Sequence, residues 1–320
     1  MWSDEKVIEA TKDFVCALDE VWRLQRGKDA ESLHFQAMAD KGHYGGGGGT
    51  RQGIYVLTAD GTLLAASNHL SAAKALETLT TGLEAWKKTT PTQRTLPSDW
   101  TLPRKRWEDS LPPDAVILIS YNADLGAGAQ RERLNRDHVW FTVEEARGWL
   151  PAEPTEGRKH VVSKLITERI AQFHLVDNVR GQTLPFAAQD VAGTVLRTTV
   201  TAREGNVVSF TIEGETQGET DGSWLLGEND WKPKTKYPRG VTTTVNGVGR
   251  YDTATGRFLQ LEFAAIGERT GRTNLNGRKE GDVGPEGIGW IFELAPDRAS
   301  SRIAPAFVDI YGADWIVDPR

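Results

Sequence analysis

The feature that most constrains the fold is a change in the spacing of apolar residues at about Val191. Before this point the apolar residues mostly recur every three or four positions, as on helices, and after it they alternate with polar residues. In the last alternating stretch Ile288, Trp290 and Phe292 share one face. The alternation is clearest in three stretches: residues 206–213, 257–263 and 288–294. We expect half-buried antiparallel strands here, and therefore a β-rich C-terminal domain that is either a barrel or a sandwich.

The region before Val191 is predicted to be mixed. Thr142 and Glu145 form a capping-box pattern, which predicts the start of a short helix. Other elements of this region are predicted by local pattern: a strand at residues 116–121 and a helix at about 160–173. After Val191, hairpin turns are predicted at 203–206 and 253–256. The stretch 115–320 is therefore predicted to be an α+β region whose antiparallel β domain begins at about residue 191.

The first 88 residues read as alternating helices and strands. A helix is expected at residues 3–10 with Ser3 as its cap, followed by a strand at 13–19 that is apolar on both faces. Asp29 is the expected cap of a further helix. Later elements are predicted from turn and period signals: a hairpin at residues 53–67 around Asp60-Gly61, and a helix at 71–88.

A proline-rich segment, residues 89–114, separates these two regions. It holds five prolines: Pro91, Pro97, Pro103, Pro112 and Pro113. Such spacing is typical of a surface linker, with Trp100 and Trp107 as anchors against one domain or the other. The sequence thus predicts an α+β protein with domains at 1–88 and 115–320.

Composition excludes several functional classes. The chain has 320 residues, 38 basic and 44 acidic side chains, and a net charge of −6, which argues against nucleic-acid or anionic-membrane partners. The single cysteine excludes an internal disulfide framework and a two-cysteine redox centre. No apolar run is long enough to span a membrane, and residues 1–9 show no secretory signal. We therefore expect a cytoplasmic location.

The order of the N-terminal elements resembles the later part of a thioredoxin fold. The resemblance rests on residues 2–8 with Asp13-Phe14-Val15, and on the hairpin residues 53–57 with Ala59-Asp60-Gly61, which are similar to bacterial thioredoxin-like proteins. It covers about residues 1–88. The Cys-x-x-Cys pair and the cis-proline of that family are absent, so the resemblance implies a truncated, non-redox α/β fold and no catalytic residue. The rest of the chain resembles only uncharacterised bacterial proteins.

The first candidate site is the glycine-rich loop at residues 42–51. His43 can titrate near neutral pH, Tyr44 offers a ring with a polar tip, and Arg51 supplies a cation. In thioredoxin-like folds the corresponding loop borders the substrate groove, as the resemblance implies. We expect these three residues to bind a carboxylate or polarise a carbonyl.

A second candidate lies at Asp177 and Arg180, between the predicted helix and the first β-strand. These residues either bind a ligand between the two domains or pair with each other to cap the helix end.

Other residue patterns favour plain structural roles. Cys16 is expected to be a small buried hydrophobe, and residues 274–286 a solvated hairpin loop. His34, His43 and Cys16 match no metal-ligand spacing, so neither a metal site nor a cofactor is predicted. Trp224 and Trp231 are candidates for stacking on a sugar or apolar ligand.

The functional expectation is a non-redox binding or scaffolding protein whose partner is a small molecule or another protein. The alternative is a hydrolase of a small ester or lactone, with its site between the two domains. No catalytic residue is assigned, so whether the protein is an enzyme stays open.

Overall fold

The computed structural model divides the chain into two compact units, with the division near residue 105. The residues that it describes are 1–2, 4–19, 21–45, 50–98, 110–126, 134–181, 183–221, 237–273, 276–306, 311 and 313–316. The two predicted linker anchors, Trp100 and Trp107, lie outside these residues. None of the described helices is both long and apolar enough to cross a bilayer.

The first unit contains four helices and one hairpin among its described residues. In chain order these are α1 (Glu5–Thr11), α2 (Val21–Leu24), α3 (Ala30–Ala39), β1 (Ile54–Leu57), β2 (Leu63–Ser67) and α4 (Ala72–Lys87). The predicted hairpin is confirmed, since β1 and β2 pair antiparallel and Gly61 turns the chain with a φ of 82°. The helix predicted at 71–88 is confirmed as α4. Its Leu79 packs in one apolar cluster with Val56 of β1 and Val7 of α1.

Three predictions for the first unit are wrong. Residues 13–19 form no strand, because no strand within the described ranges pairs with them; Val15 is 101% exposed, and Cys16 is exposed rather than buried. The cap of α1 is Asp4, whose carboxylate accepts from the N–H groups of Lys6 and Val7. The central strand that a thioredoxin-like fold requires is therefore not present at the predicted place.

The second unit is built on one eight-stranded antiparallel sheet. Its strands are β3 (Val116–Asp124), β4 (Asn135–Phe141), β5 (Lys159–Val161), β6 (Val195–Glu204), β7 (Val207–Thr220), β8 (Arg239–Asp252), β9 (Arg257–Gly271) and β10 (Glu286–Leu294). The spatial order is β4-β3-β10-β9-β8-β7-β6-β5, so β5 to β10 run as a meander and β10 pairs with the earlier strand β3. The strands and both hairpin turns predicted after residue 191 are confirmed.

The sheet corrects the predicted architecture in two respects. It is neither a closed barrel nor a two-sheet sandwich, because among the described residues β4 and β5 remain as unpaired edges of a single sheet. The β domain also begins at Val116 rather than at about residue 191, since β10 carries the chain back beside β3. Local patterning could not reveal this long-range pairing.

Helical segments cover one face of the sheet. They are α5 (Val143–Ala146), the 3₁₀ turn Arg147–Trp149, α6 (Lys164–Arg169) and the π-helical turn Ile170–His174. The capping box of Thr142 and Glu145 is confirmed at α5. The helix predicted at 160–173 begins later, at Lys164, because His160 belongs to β5.

The main core lies between these helical segments and the inner face of the sheet. Trp149 packs on Phe263, whose ring stacks on that of Phe292 at 4.5 Å between centroids. A second, smaller apolar cluster lies against the other face of β3 and β4, where Trp140 meets Tyr311 and donates from Nε1 to the carbonyl of Ile303. The inner face is apolar near Leu118 and becomes polar toward Asp124. That polar end positions the candidate site.

Candidate functional site

Two of the three residues predicted at the glycine-rich loop, His43 and Tyr44, contact each other in the first unit. The rings of His43 and Tyr44 lie 4.3 Å apart, and that of His43 lies 5.4 Å from Tyr55. His43 Nε2 is 3.0 Å from the carbonyl of Gln52. Residues 46–49 of the loop lie outside the described residues.

Arg51 is not free to bind a carboxylate. Its Nε and Nη2 donate to the two oxygens of Asp40 at 2.6 and 3.0 Å, and these bonds lower the pKa of Asp40 below its usual value. The backbone N–H of Arg51 also donates to Gln25 Oε1 at 3.0 Å. The predicted cation of this loop is thus already matched, and ligand binding at this loop stays a prediction.

In the second unit, the polar end of the sheet holds a network of charged side chains whose centre is buried. The network forms where β3 ends at Asp124. Residues 175–181, which follow the π-helical turn, lie beside this end of β3. The loop between β9 and β10 lies against both. Its charged members are Asp124, Asp177, Arg180, Arg269, Arg278, Asp282 and Glu286. We call these residues the charge network.

Arg278 is the centre of the charge network. Its guanidinium donates to both oxygens of Asp124, at 2.9 and 2.6 Å, and to both oxygens of Asp177, at 2.9 and 2.6 Å. Burial alone would raise the pKa of Asp124, but its bonds to Arg278 and Arg180 outweigh burial and lower it. Burial likewise opposes the charge of Arg278, yet the two carboxylates raise its pKa above the usual value. The pairing thus favours the charged forms of Asp124 and Arg278 inside the fold.

Arg180 joins the charge network from its solvent side. Nε donates to Asp124 Oδ2 at 2.9 Å, and Nη1 donates to Asp282 Oδ2 at 3.2 Å. Arg180 therefore does not pair with Asp177 to cap the helix, and the predicted pairing is wrong. The reason is distant in sequence: Arg278, about a hundred residues later, takes both oxygens of Asp177.

Arg269 completes the charge network from β9. Its side chain is fully buried, and Nη2 donates to Glu286 Oε2 at 2.5 Å. The β9–β10 loop is only partly the solvated loop expected from its composition: residues 279–281 and 283–286 are exposed, but Asn276 and Arg278 are buried and bonded to Asp177. Such a network is costly to desolvate, and it fixes the loop and the polar end of the sheet in one arrangement.

An open pocket of about 430 Å³ lies at the outer edge of the charge network. Its lining residues are Leu134, Asn135, Asn178, Val179, Arg180, Gly181, Thr183 and Ala306. The side chain of Arg180 is 14% exposed, whereas that of Arg278 is 0% exposed, and Arg180 is the network member that lines this pocket. Within the described part of the chain, Arg180 Nη2 has no hydrogen-bond acceptor. We call this cavity the Arg180 pocket.

The wall of the Arg180 pocket connects to the interior through Asn178. The Oδ1 atom of Asn178 accepts a hydrogen bond from Nδ2 of Asn122 at 2.8 Å. Asn122 is buried on the inner face of β3, two residues before Asp124, so both side chains point to the same face. The side chain of Asn178 thus separates the pocket from the polar end of the core.

A second group with catalytic residue types is an Asp-His-Tyr chain. His174 Nδ1 lies 2.8 Å from Asp137 Oδ2, and His174 Nε2 lies 3.1 Å from the Tyr311 hydroxyl. Tyr311 is only 2% exposed, and burial raises the pKa of its hydroxyl. The backbone N–H of Trp140 also donates to that hydroxyl at 2.9 Å, so the chain serves to fasten residue 311 to the edge strand β4.

A larger depression of about 830 Å³ lies near the ends of β7 and β8 and is lined by Asp190, Glu219 and Asp221 among others. Trp224 and Trp231, predicted to stack on a ligand, lie outside the described residues. Among the residues that the structure describes around this depression, nothing beyond the acidic lining points to a ligand.

Sequence reasoning found Asp177 and Arg180 but missed their partners. The strand beginning at Val116 was predicted to end at Tyr121, yet its inner face continues through Asn122 and Asp124. A signal was available in the sequence: the alternation of the strand continues beyond its apolar residues with the polar side chains of Asn122 and Asp124, which indicates a longer strand. Arg269 and Arg278 carried no local signal, because their role depends on strand pairing.

No family model matches this chain, and neither a curated protein nor a solved structure matches it. A functional assignment therefore rests on the geometry described above.

Proposed function

We propose that this protein is a non-redox binding protein, and that the Arg180 pocket holds a small, uncharged polar molecule. The observation that carries the proposal is the position of Arg180. It reaches the pocket while two of its nitrogens are bonded to Asp124 and Asp282. With its charge offset in this way, Arg180 acts toward a ligand as a directed N–H donor rather than as a trap for anions.

The other polar groups of the pocket fit this reading. Asn178 and Asn135 carry amides, and Thr183 carries a hydroxyl, so donors and acceptors of hydrogen bonds are both present. Leu134, Val179 and Ala306 add apolar surface. A cavity of mixed character with a few convergent polar groups is typical of small-molecule sites.

Isothermal titration calorimetry of the full chain tests the proposal with uncharged six-carbon ring compounds that carry a carbonyl or hydroxyl groups. Ala306→Phe is the blocking variant, since it fills the pocket without removing a member of the charge network. Ala254→Phe is the matched control. Both alanines are exposed, and each donates its N–H to an aspartate, Asp137 for Ala306 and Asp252 for Ala254.

We expect measurable binding in the wild type and in Ala254→Phe, and at least tenfold weaker binding in Ala306→Phe. If no compound binds, or if Ala306→Phe binds as well as the wild type, the Arg180 pocket is not the site.

Hydrolysis of a small ester or lactone is the second candidate. The order Asp137, His174, Tyr311 is that of an acid, a base and a hydroxyl nucleophile, which favours it. The burial of Tyr311 ranks this candidate behind binding, because a substrate has no described path to the hydroxyl. Turnover of a nitrophenyl ester that is lost in Tyr311→Phe would reverse the ranking.

A further inference from the structure

Two buried polar atoms behind the Arg180 pocket have no hydrogen-bond partner among the described residues. They are Oδ1 of Asn122 and Nε1 of Trp290. The two residues are only 3% and 2% exposed, and they are directly paired across β3 and β10. Because paired residues point to the same face of a sheet, both side chains lie on the inner face as nearest neighbours.

Orphaned polar atoms of this kind are rare in folded proteins, since each costs desolvation without a compensating bond. Here one atom is an acceptor and the other a donor. The amide of Asn122 is fixed in this orientation, because its Nδ2 donates to Asn178 Oδ1 and to the carbonyl of Val176. A single hydroxyl satisfies both atoms, donating to Asn122 and accepting from Trp290.

The orphaned pair is connected to the Arg180 pocket through one side chain. Asn178 lines the pocket and bonds Asn122 on its inner side. Arg180 is bonded to Asp124, which lies two residues from Asn122 on the same face of β3, about 6–7 Å along the strand. A small ring compound that contacts Arg180 with one substituent meets the orphaned pair with another only after Asn178 rotates aside, and the carbonyl of Val176 then still accepts from Nδ2 of Asn122.

We propose that the ligand of the Arg180 pocket is an uncharged polyol, a cyclitol or monosaccharide, with one hydroxyl bound between Asn122 and Trp290. This inference rests on the proposed binding function. The charge of Arg180 is already offset, so the ligand needs no acidic group. The orphaned pair instead requires a group that both donates and accepts, which a ketone or an ether does not.

The test compares two uncharged six-membered rings by calorimetry: myo-inositol, which carries hydroxyls, and cyclohexanone, which carries only an acceptor. The variant is Trp290→Phe, which removes the N–H donor and keeps an aromatic ring in the core. The expected result is that Trp290→Phe weakens myo-inositol binding roughly tenfold and leaves cyclohexanone binding unchanged.

The outcomes separate the two proposals. Suppose that cyclohexanone binds the wild type and binds Ala306→Phe more weakly, while myo-inositol binds no more tightly than cyclohexanone and with equal affinity to the wild type and Trp290→Phe. The polyol inference then fails and the binding function stands. If neither compound binds, both fail.

A crystal structure of the full wild-type chain with myo-inositol is the second measurement. It tests the inference even if the Trp290→Phe variant does not fold. A ligand hydroxyl between Asn122 Oδ1 and Trp290 Nε1 supports the inference. An ordered water that keeps this place while the ligand is bound overturns it.

Discussion

Among the members of the charge network, Arg278 is the one that donates to both oxygens of two buried aspartates, Asp124 and Asp177, and it therefore holds the network together. Replacing a buried ion pair as a whole can be neutral, but removing one partner leaves charges that water cannot reach. The network is therefore sensitive to the loss of this one cation.

We predict that Arg278→Met lowers the free energy of unfolding by about 3–5 kcal/mol, measured by urea denaturation. The matched control is Arg197→Met, at an exposed position on β6, with an expected change within about 0.5 kcal/mol. A loss of under about 1 kcal/mol for Arg278→Met would contradict the central role of this residue.

A second prediction at the residue scale concerns how stability depends on pH. It rests on His138, which is buried and whose Nε2 has no partner among the described residues. Burial, assisted by Arg136, lowers the pKa of His138 to about 4. Since an unfolded histidine titrates near 6.5, the unfolded chain binds the proton first as the pH falls. Stability from the neutral ring is thus present above about pH 6.5 and is lost as the pH drops toward 4.

The expected loss is at most about 3 kcal/mol between pH 6.5 and 4, measured as unfolding free energy against pH. His138→Phe should flatten this part of the profile, whereas replacing the exposed His69 by Phe should not. Equal slopes in the wild type and His138→Phe would show that His138 is not desolvated in the folded state.

At the scale of elements, the β9–β10 loop depends on the backbone at Gly277. Its φ is 70°, and an added Cβ would lie 2.8 Å from the carbonyl oxygen of Arg180. Gly281, in the same loop, has open space around it. The two glycines form a natural matched pair.

We predict that Gly277→Ala destabilises the protein by about 1–2 kcal/mol and also weakens binding at the Arg180 pocket. Gly281→Ala should change neither property. Thermal unfolding and calorimetry measure the two effects. A Gly277→Ala variant as stable as Gly281→Ala would mean that the loop does not hold this conformation.

The elements also show how far sequence patterns reach. Strands β7, β9 and β10 and the capping box at Thr142 were predictable, because alternation and caps are local signals. Residues 13–19 misled the prediction, since two apolar faces indicate a buried strand only if other strands flank it. The charge network was only half visible, because its arginines come from loops and strand ends that pairing brings together.

At the scale of the whole molecule, the two units each have their own apolar core. The residues of the Arg180 pocket and of the charge network all belong to the second unit. A fragment spanning residues 106–318 is therefore expected to unfold cooperatively and to keep the ligand affinity of the full chain. A fragment without a cooperative transition would show that the second unit needs the first.

The most direct test of the binding proposal is a ¹⁵N NMR titration of the full chain with cyclohexanone and with myo-inositol. We predict chemical-shift changes at the amides of Asn178, Gly181 and Thr183 and at Arg180 Nε, lost in Ala306→Phe. Shifts centred on His43, Tyr44 and Arg51, or no shifts at all, would contradict the account.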